Sequence, residues 1–307
     1  MRLTVHIGTT KTGSTSIQAF MRANRAALLQ KGICYPRSLG AQDHRKATLS
    51  SLELNQSRDL MGRAQIDTEA KLEVLRVRTK AKYRRELRVN LKHVVISSEH
   101  LQSRLVQTKN VARFRQQFCQ DFDDVKIVVY IRPQLDQIVS FYSTLLRSGY
   151  SKSLSEFIKS RIRPGFLPYF NIRAMINRWS EQFGNENVIV RPYKAIEGPL
   201  GTLGDFCDLL EIDPASAEWA EIKKSNTSLN VAGQELLLML NQAGALSDVQ
   251  RRQIVHWVTT NCAGKGAIPS LSLAKAFQAQ FDEGNAWVVK NYFPDHPEYL
   301  EPSWPRE

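Results

Sequence analysis

The chain contains short, nearly continuous apolar runs that alternate with stretches of helical composition. Runs of this kind, at residues 3–7, 94–96, 127–131 and 188–190, are typical of strands covered on both faces, as in a parallel sheet. Because strand, helix and strand in this order form a βαβ unit, the pattern predicts an α/β fold with a mostly parallel central sheet and helices on both faces. From Ser228 onward the pattern is helical, most clearly at residues 235–240 and 248–259.

Length and composition limit the organisation of the chain. At 307 residues it is near the upper limit for one hydrophobic core, so we expect one domain over residues 1–307, with two domains as the alternative. The apolar run at residues 125–131 is too short to span a bilayer, and the amino terminus lacks the apolar core of a signal peptide. The four cysteines form no C-x-x-C pair and the histidines lack metal-ligand spacing, so we expect a cytoplasmic protein without a metal.

A formal net charge of +12 favours anionic partners: nucleic acid, a membrane surface, a polyanionic glycan or a highly charged nucleotide. Basic residues crowd one stretch in particular, residues 72–91, where apolar positions keep roughly helical spacing. This pattern predicts a basic amphipathic helix, or a pair of them. Its charged face is either a solvated surface or a face that binds an acceptor or a polyanion.

A glycine-containing loop with the sequence G-T-T-K-T-G-S-T-S, residues 8–16, joins the first predicted strand to the first predicted helix at residues 16–29. At such a junction backbone N–H groups and the helix dipole converge on an anion. The loop resembles a Walker A sequence, but that motif places lysine directly after the second glycine, where this chain has Ser14. The displaced lysine, Lys11, and the lack of a strand-end aspartate for Mg²⁺ after residues 94–96 or 127–131 argue against an ATPase or GTPase.

The pattern G-x-x-K-T-G-[ST]-[ST]-[ST] after a first strand is similar to the 5′-phosphosulfate loop of sulfotransferases that use 3′-phosphoadenosine-5′-phosphosulfate (PAPS), where the lysine also precedes the glycine. The resemblance implies a P-loop-like α/β fold and transfer of a sulfuryl group. Lys11 would meet the bridging oxygen on which charge builds as the S–O bond breaks. Donors to the 5′-phosphate would be Thr12, Gly13, Ser14, Thr15 and Ser16.

A second anion-binding element follows the strongest predicted strand. Arg132 precedes Pro133, which suits the first position of a helix, so Arg132 lies at the strand's carboxyl end, where α/β sheets bind ligands. Ser140 comes two helical turns later and is followed by Phe141 and Tyr142. This spacing resembles the 3′-phosphate element of the same sulfotransferases. It implies that Arg132 and Ser140 hold the 3′-phosphate of PAPS and of the product 3′-phosphoadenosine-5′-phosphate (PAP).

Weaker similarities point to the bacterial, polysaccharide-type branch of that family. They are W-x-x-x-F-G…V-x-V-x-x-Y at residues 179–193, the segment at residues 225–229, and Asn285 with residues 291–293. Residues 35–92 fall outside the likeness and are expected to be an acceptor-side insertion, and residues 228–293 a helical C-terminal subregion. The segment K-G-x-x-G-x-W, which completes the cofactor site in the cytosolic branch, is missing. We expect Lys223, Lys224 and Asn226 to take its place in the cofactor site.

Sulfuryl transfer also needs a base near the loop. The sequence Ser97-Ser98-Glu99-His100 follows a predicted strand, and in this superfamily the base is a Glu or a His at about this place. Adjacent residues of an extended chain point to opposite sides, so we expect only one of the two to face the cleft. We favour Glu99, because partial burial would raise the pKa of its carboxyl to a useful value, and keep His100 as the alternative.

The predicted activity is therefore transfer of sulfuryl from PAPS to a hydroxyl or amine of a carbohydrate or small-molecule acceptor. One alternative is a phosphate-loop nucleotide kinase. Another is a basic nucleic-acid-binding protein, although no helix-turn-helix, zinc-finger or RNA-recognition signature supports it, so nucleic acid is not expected as a partner. The sequence predicts neither the identity of the acceptor nor the oligomeric state.

Overall fold

A parallel sheet organises the amino-terminal part of the chain, in a computed structural model that describes residues 1–87, 90–162, 167–216, 219–220, 228–244 and 247–306. The strands are β1 (Arg2–His6), β2 (Ile33–Cys34), β3 (His93–Ser97), β4 (Asp124–Ile131) and β5 (Val188–Pro192). Their spatial order is β2-β3-β1-β4-β5, and every pairing is parallel. The carboxyl ends of β3, β1 and β4 therefore lie side by side at one edge of the sheet.

The chain forms two compact units, Met1–Ile131 with Ile172–Ile222 and Arg132–Asn171 with Lys223–Glu307. Helices of the first unit are α1 (Ser14–Ala23), α2 (Arg25–Gln30), α3 (Arg45–Ser51), α4 (Arg58–Arg63), α5 (Glu69–Glu86), α6 (Glu99–Arg104), α7 (Thr108–Phe118), α11 (Ile172–Phe183) and α12 (Thr202–Leu209). Those of the second are α8 (Gln134–Arg147), α9 (Leu154–Arg161), α10 (Leu167–Phe170), α13 (Val231–Ala243), α14 (Asp248–Asn261), α15 (Leu271–Gln278) and α16 (Asp282–Tyr292). The predicted α/β class, a P-loop-like parallel sheet with flanking helices and a helical C-terminal region, is confirmed.

Strand periodicity places the core of the first unit on both sheet faces. Val128 and Tyr130 of β4 pack with Phe20 of α1 and Phe206 of α12 in one hydrophobic cluster. The alternate residue Val129 points to the opposite face, is also fully buried, and belongs to a strand that α11 contacts. Burial on both faces is why the sequence of β4 is continuously apolar instead of alternating.

One predicted helix, over residues 16–29, is divided in the structure. α1 ends at Ala23 and α2 begins at Arg25, and the side-chain amide of Asn24 between them donates to the carbonyl oxygen of Phe20 at 3.1 Å. An asparagine that bonds the backbone in this way competes with the helical ladder. Its carbonyl oxygen accepts from the backbone N–H of Ala220 at 2.8 Å, so a distant segment of the chain holds the break.

The second unit has a helical core with a buried amide network at the start of α8. Gln134 donates to the carbonyl oxygen of Phe170 at 3.2 Å and exchanges hydrogen bonds with Asn285 at 2.9 Å. Gln278 donates to Gln134 at 3.0 Å and accepts from the backbone N–H of Leu135 at 3.0 Å. The bond to Leu135 satisfies one free backbone N–H of the first turn of α8, and the others hold Gln134 at the start of that helix. No helix within the described part of the chain has the length and apolar character that crossing a membrane requires.

Candidate active site

The loop between β1 and α1 has three residues in left-handed backbone conformations. Their φ angles are +54° at Gly8, +68° at Lys11 and +91° at Gly13. Glycine adopts such angles readily, whereas for Lys11 they carry a steric cost of about 1–2 kcal/mol. Strain at a non-glycine residue concentrates in ligand-binding loops, where the surrounding structure holds it in place. The rest of the loop holds Lys11 in this conformation, which fixes the backbone direction at the lysine predicted to act on the anion.

Threonine hydroxyls close the loop and bond it to the sheet. β4 extends past the last residue of β1, and there the hydroxyl of Thr9 donates to the carbonyl oxygen of Tyr130 at 2.8 Å. The hydroxyl of Thr12 donates to the carbonyl oxygen of Thr9 at 2.7 Å. Both threonines are buried. The Thr12 hydroxyl, predicted as a phosphate donor, is thus used within the loop, so any donation to a phosphate from Thr12 falls to its backbone N–H.

Two close approaches leave no room for a side chain at either glycine of the loop. A β-carbon on Gly8 would lie 2.9 Å from Oγ of Ser14 and 3.4 Å from Cα of Glu99. A β-carbon on Gly13 would lie 2.8 Å from both Cβ and Oγ1 of Thr202, the first residue of α12. The start of the loop therefore packs against Glu99, and its end packs against the amino end of α12.

The amino end of α1 follows the loop directly. Gly13 occupies the N-cap position and has no side chain to cap the helix, so the N–H groups of the first turn have no side-chain acceptor there. The predicted phosphate donors Ser14, Thr15 and Ser16 form this turn, with Thr15 and Ser16 partly exposed. N–H groups at a helix amino end carry partial positive charge. The first turn can therefore hold an anion beside Lys11.

Glu99 is the first residue of α6 and is partly buried. Its Oε2 accepts a hydrogen bond from Nε2 of Gln18, on α1, at 3.4 Å. Burial raises the pKa of the Glu99 carboxyl, and the negative charge of Asp43 raises it further. A carboxyl with a raised pKa beside this loop is chemically suited to serve as a general base.

His100 turns to a different partner. Its Nε2 lies 3.5 Å from Oδ2 of Asp43, whose Oδ1 accepts from the hydroxyl of Ser98. Nε of Arg45 donates to the same Oδ2 at 3.1 Å. Burial lowers the pKa of His100, while the Asp43 charge acts to raise it. The expected extended chain at these residues is wrong: Ser98 caps α6, and Glu99 and His100 are its first two residues, so helical geometry separates their side chains.

Arg132 and Ser140, the predicted 3′-phosphate ligands, belong to the second unit. Arg132 follows the last residue of β4 directly, and Pro133 is the N-cap of α8 instead of its first residue. Ser140 lies within α8, and both predicted ligands are partly exposed. The predicted residues Lys223, Lys224 and Asn226 lie outside the described residues.

Gln18, Asp43 and Thr202 contact the predicted site residues but were missed in the sequence. Gln18 is a polar residue on the buried face of α1. Helical periodicity could have placed it on that face, but a buried polar residue is not a specific sign of function. Asp43 lies in a loop and Thr202 is remote in sequence, so nothing local marks either one. The structure adds them because they meet Glu99, His100 or Gly13 in space.

The histidine of β1 is a core residue. His6, in β1, is fully buried, and its Nδ1 lies 2.8 Å from the hydroxyl of Ser97. Burial lowers the pKa of His6 to about 3. Among the residues that the structure describes, no group of three or more His, Cys, Asp or Glu side chains is arranged to hold a metal ion.

Comparisons with known proteins leave the family open. No protein-family model matches the chain. An uncharacterized protein of Archaeoglobus fulgidus is 27% identical over 173 residues, which is 55% of this chain and 46% of that protein, so the chain spans about half the length of this curated relative. A crystal structure of a sulfotransferase from Alicyclobacillus acidocaldarius is 16% identical with a TM-score of 0.43, over 82% of this chain and 95% of that one. A likeness at this level does not establish a shared activity.

Proposed function

We propose that this protein is a sulfotransferase that moves the sulfuryl group of PAPS to a hydroxyl or amine of a carbohydrate or small-molecule acceptor. One observation carries the proposal: the loop that bears Lys11 packs directly against Glu99, with only 3.4 Å between the Cα of Glu99 and a β-carbon placed on Gly8. An anion-binding turn and a carboxyl with a raised pKa therefore adjoin each other at the carboxyl edge of the sheet. In-line group transfer requires these two components together.

The assigned residues account for every bond and proton of the transfer without a metal ion. The acceptor oxygen or nitrogen forms a bond to sulfur, and the bond between sulfur and the bridging phosphate oxygen breaks. Its electron pair stays on the departing PAP, where Lys11 and the first turn of α1 neutralise the charge. The ionised carboxylate of Glu99 takes the proton of the acceptor. Its raised pKa makes it a stronger base than an ordinary carboxylate.

Glu99 suits the role of base better than His100 does. The Glu99 backbone adjoins Gly8, and its carboxylate contacts α1, the helix that follows the loop. His100 faces Asp43, which also binds Ser98 and Arg45. We therefore assign His100 to the support of the α6 amino end and keep it as the alternative base. Arg132 and Ser140 are proposed for the 3′-phosphate, and Lys223, Lys224 and Asn226 for the rest of the PAPS site, on sequence resemblance alone.

Calorimetric titration with PAP, AMP and ATP with Mg²⁺ tests the proposal. We expect PAP to bind and AMP, which lacks the 3′-phosphate, to bind at least tenfold more weakly, since a lost charge-assisted contact of about 1.5–3 kcal/mol corresponds to that factor. Lys11→Ala and Arg132→Ala should each weaken PAP binding. Lys80→Ala, which removes one partly exposed charge from α5, is the matched control and should leave PAP binding unchanged. A preference for ATP with Mg²⁺, or no nucleotide binding, contradicts the proposal.

A further inference from the structure

A groove of about 550 Å³ runs along α5 in the first unit. It lies within residues 35–92, the part of the chain outside the sequence resemblance. Its apolar lining includes Ile66, Val74 and Leu75. Val74 is 46% exposed, so the groove presents an apolar surface to solvent.

The charged residues that line this groove are all basic: Lys46, Lys71, Arg78 and Lys82. Three of them follow one stripe of α5, because the spacing from residue 71 to 78 and 82 returns to the same helix face. Between residues 71 and 82 this stripe extends about 16 Å. Lys71 pairs with Asp67 at 2.7 Å, whereas Lys46, Arg78 and Lys82 form no ion pair with any residue in the described part of the chain.

Arg76, another basic residue of α5, has a structural role that the residues of the groove stripe do not share. Arg76 donates to the carbonyl oxygens of Ser50 and Leu52 at 3.1 and 2.7 Å. At the carboxyl end of the helix, Glu86 accepts from the backbone N–H groups of Arg37 and Ser38 at 2.7 and 2.8 Å. The middle and the carboxyl end of α5 are thus anchored to neighbouring segments of the chain, so this wall of the groove is formed before any ligand binds.

The groove adjoins the residues around Glu99 through α3. Lys46 lines the groove, and the residue before it, Arg45, donates to Asp43. Asp43 in turn accepts from Ser98, the cap of α6, and its charge raises the pKa of Glu99. One short segment of chain, residues 43–46, therefore connects the groove to the amino end of α6, where Glu99 lies.

We infer that this groove binds the acceptor, and that the acceptor is a saccharide chain carrying carboxylate or sulfate groups. The inference rests on the proposed function for its transfer step. Spaced cations with no acidic neighbour in the lining match a ligand with repeated negative charges. The apolar surface between them fits the C–H faces of sugar rings. The lining contains no aromatic side chain on which a nucleic-acid base could stack, which disfavours a single-stranded nucleic acid.

Binding of a fluorescent sulfated hexasaccharide from heparin, measured without nucleotide, tests the inference. An uncharged hexasaccharide of glucose and a single-stranded deoxyoligonucleotide are the comparison ligands. We expect Lys82→Ala to weaken sulfated-hexasaccharide binding about threefold and Arg78→Ala with Lys82→Ala about tenfold, as for partly exposed ion pairs. Lys80→Ala is the matched control. It removes the same charge from the opposite face of the same helix.

Equal weakening by Lys80→Ala and Lys82→Ala would overturn the inference, because the attraction would then be to net charge. So would tighter binding of the deoxyoligonucleotide, equal binding of the uncharged hexasaccharide, or no binding at all. PAP titration of the same variants separates this result from the proposed function. If PAP fails to bind while the groove variants behave as expected, the donor assignment falls and the groove assignment stands.

Discussion

Gly13→Ala should destabilise the protein through two separable effects. The φ angle of +91° places a left-handed conformation on an L-residue, which costs about 1–2 kcal/mol. The new β-carbon would also lie 2.8 Å from both Cβ and Oγ1 of Thr202, closer than packed carbons approach. Overpacking of this kind costs about 1–3 kcal/mol more, so we expect a total loss of about 2–5 kcal/mol of unfolding free energy.

Gly198→Ala is the control that isolates the steric part. Its φ angle is +89°, and nothing lies within 4 Å of a β-carbon placed there. The free energy of unfolding should be measured by guanidinium denaturation of both variants, and PAP affinity by calorimetry. Gly13→Ala should lose about 1–3 kcal/mol more stability than Gly198→Ala, and it alone should weaken PAP binding.

Equal losses for the two glycine variants would refute the close approach of Gly13 to Thr202. Thr202→Gly offers an internal check, because it removes both crowding atoms. In the Gly13→Ala background it should recover the steric part of the loss and leave the backbone part. If the double variant regains no stability, the contact with Thr202 contributes nothing to the loss.

Further predictions concern the base and the buried histidines. Glu99→Gln should lower kcat about 10²–10⁴-fold and leave PAP affinity nearly intact, and full activity in this variant with loss in His100→Ala would reverse the assignment. Asp43→Asn removes a charge that raises the pKa of Glu99, so the acidic limb of the kcat/KM profile should move to lower pH; an unmoved limb would contradict that coupling. Burial lowers the pKa of His6 and of His44 to about 3. Below pH 6.5 the unfolded state therefore binds more protons than the folded state, and the free energy of unfolding decreases as the pH is lowered. Between pH 6.5 and 5 each histidine should cost about 1.6 kcal/mol of unfolding free energy, measured by denaturation at both pH values, and His44→Gln should lose its share of the slope.

Much of the fold follows from the sequence because strands buried on both faces leave a strong local signal. β4 and β3 are recognisable as apolar runs, and α11 has clear helical periodicity. β2 was missed, since a strand of two residues at a sheet edge has no periodicity to detect. The break between α1 and α2 was also missed, because the carbonyl of Asn24 is held by the backbone of Ala220, a contact that no local pattern contains.

The candidate site divides in the same way. By itself the sequence determined the loop, since the order of Lys11 and Gly13 is a local pattern, and it determined that Glu99 and His100 follow a strand. Only the tertiary structure decided which of these two residues adjoins the loop, because Asp43, far from both in sequence, orients His100. The groove beside α5 was likewise decided in three dimensions: the sequence shows many basic residues, but only packing separates those that anchor the helix from those that line a surface.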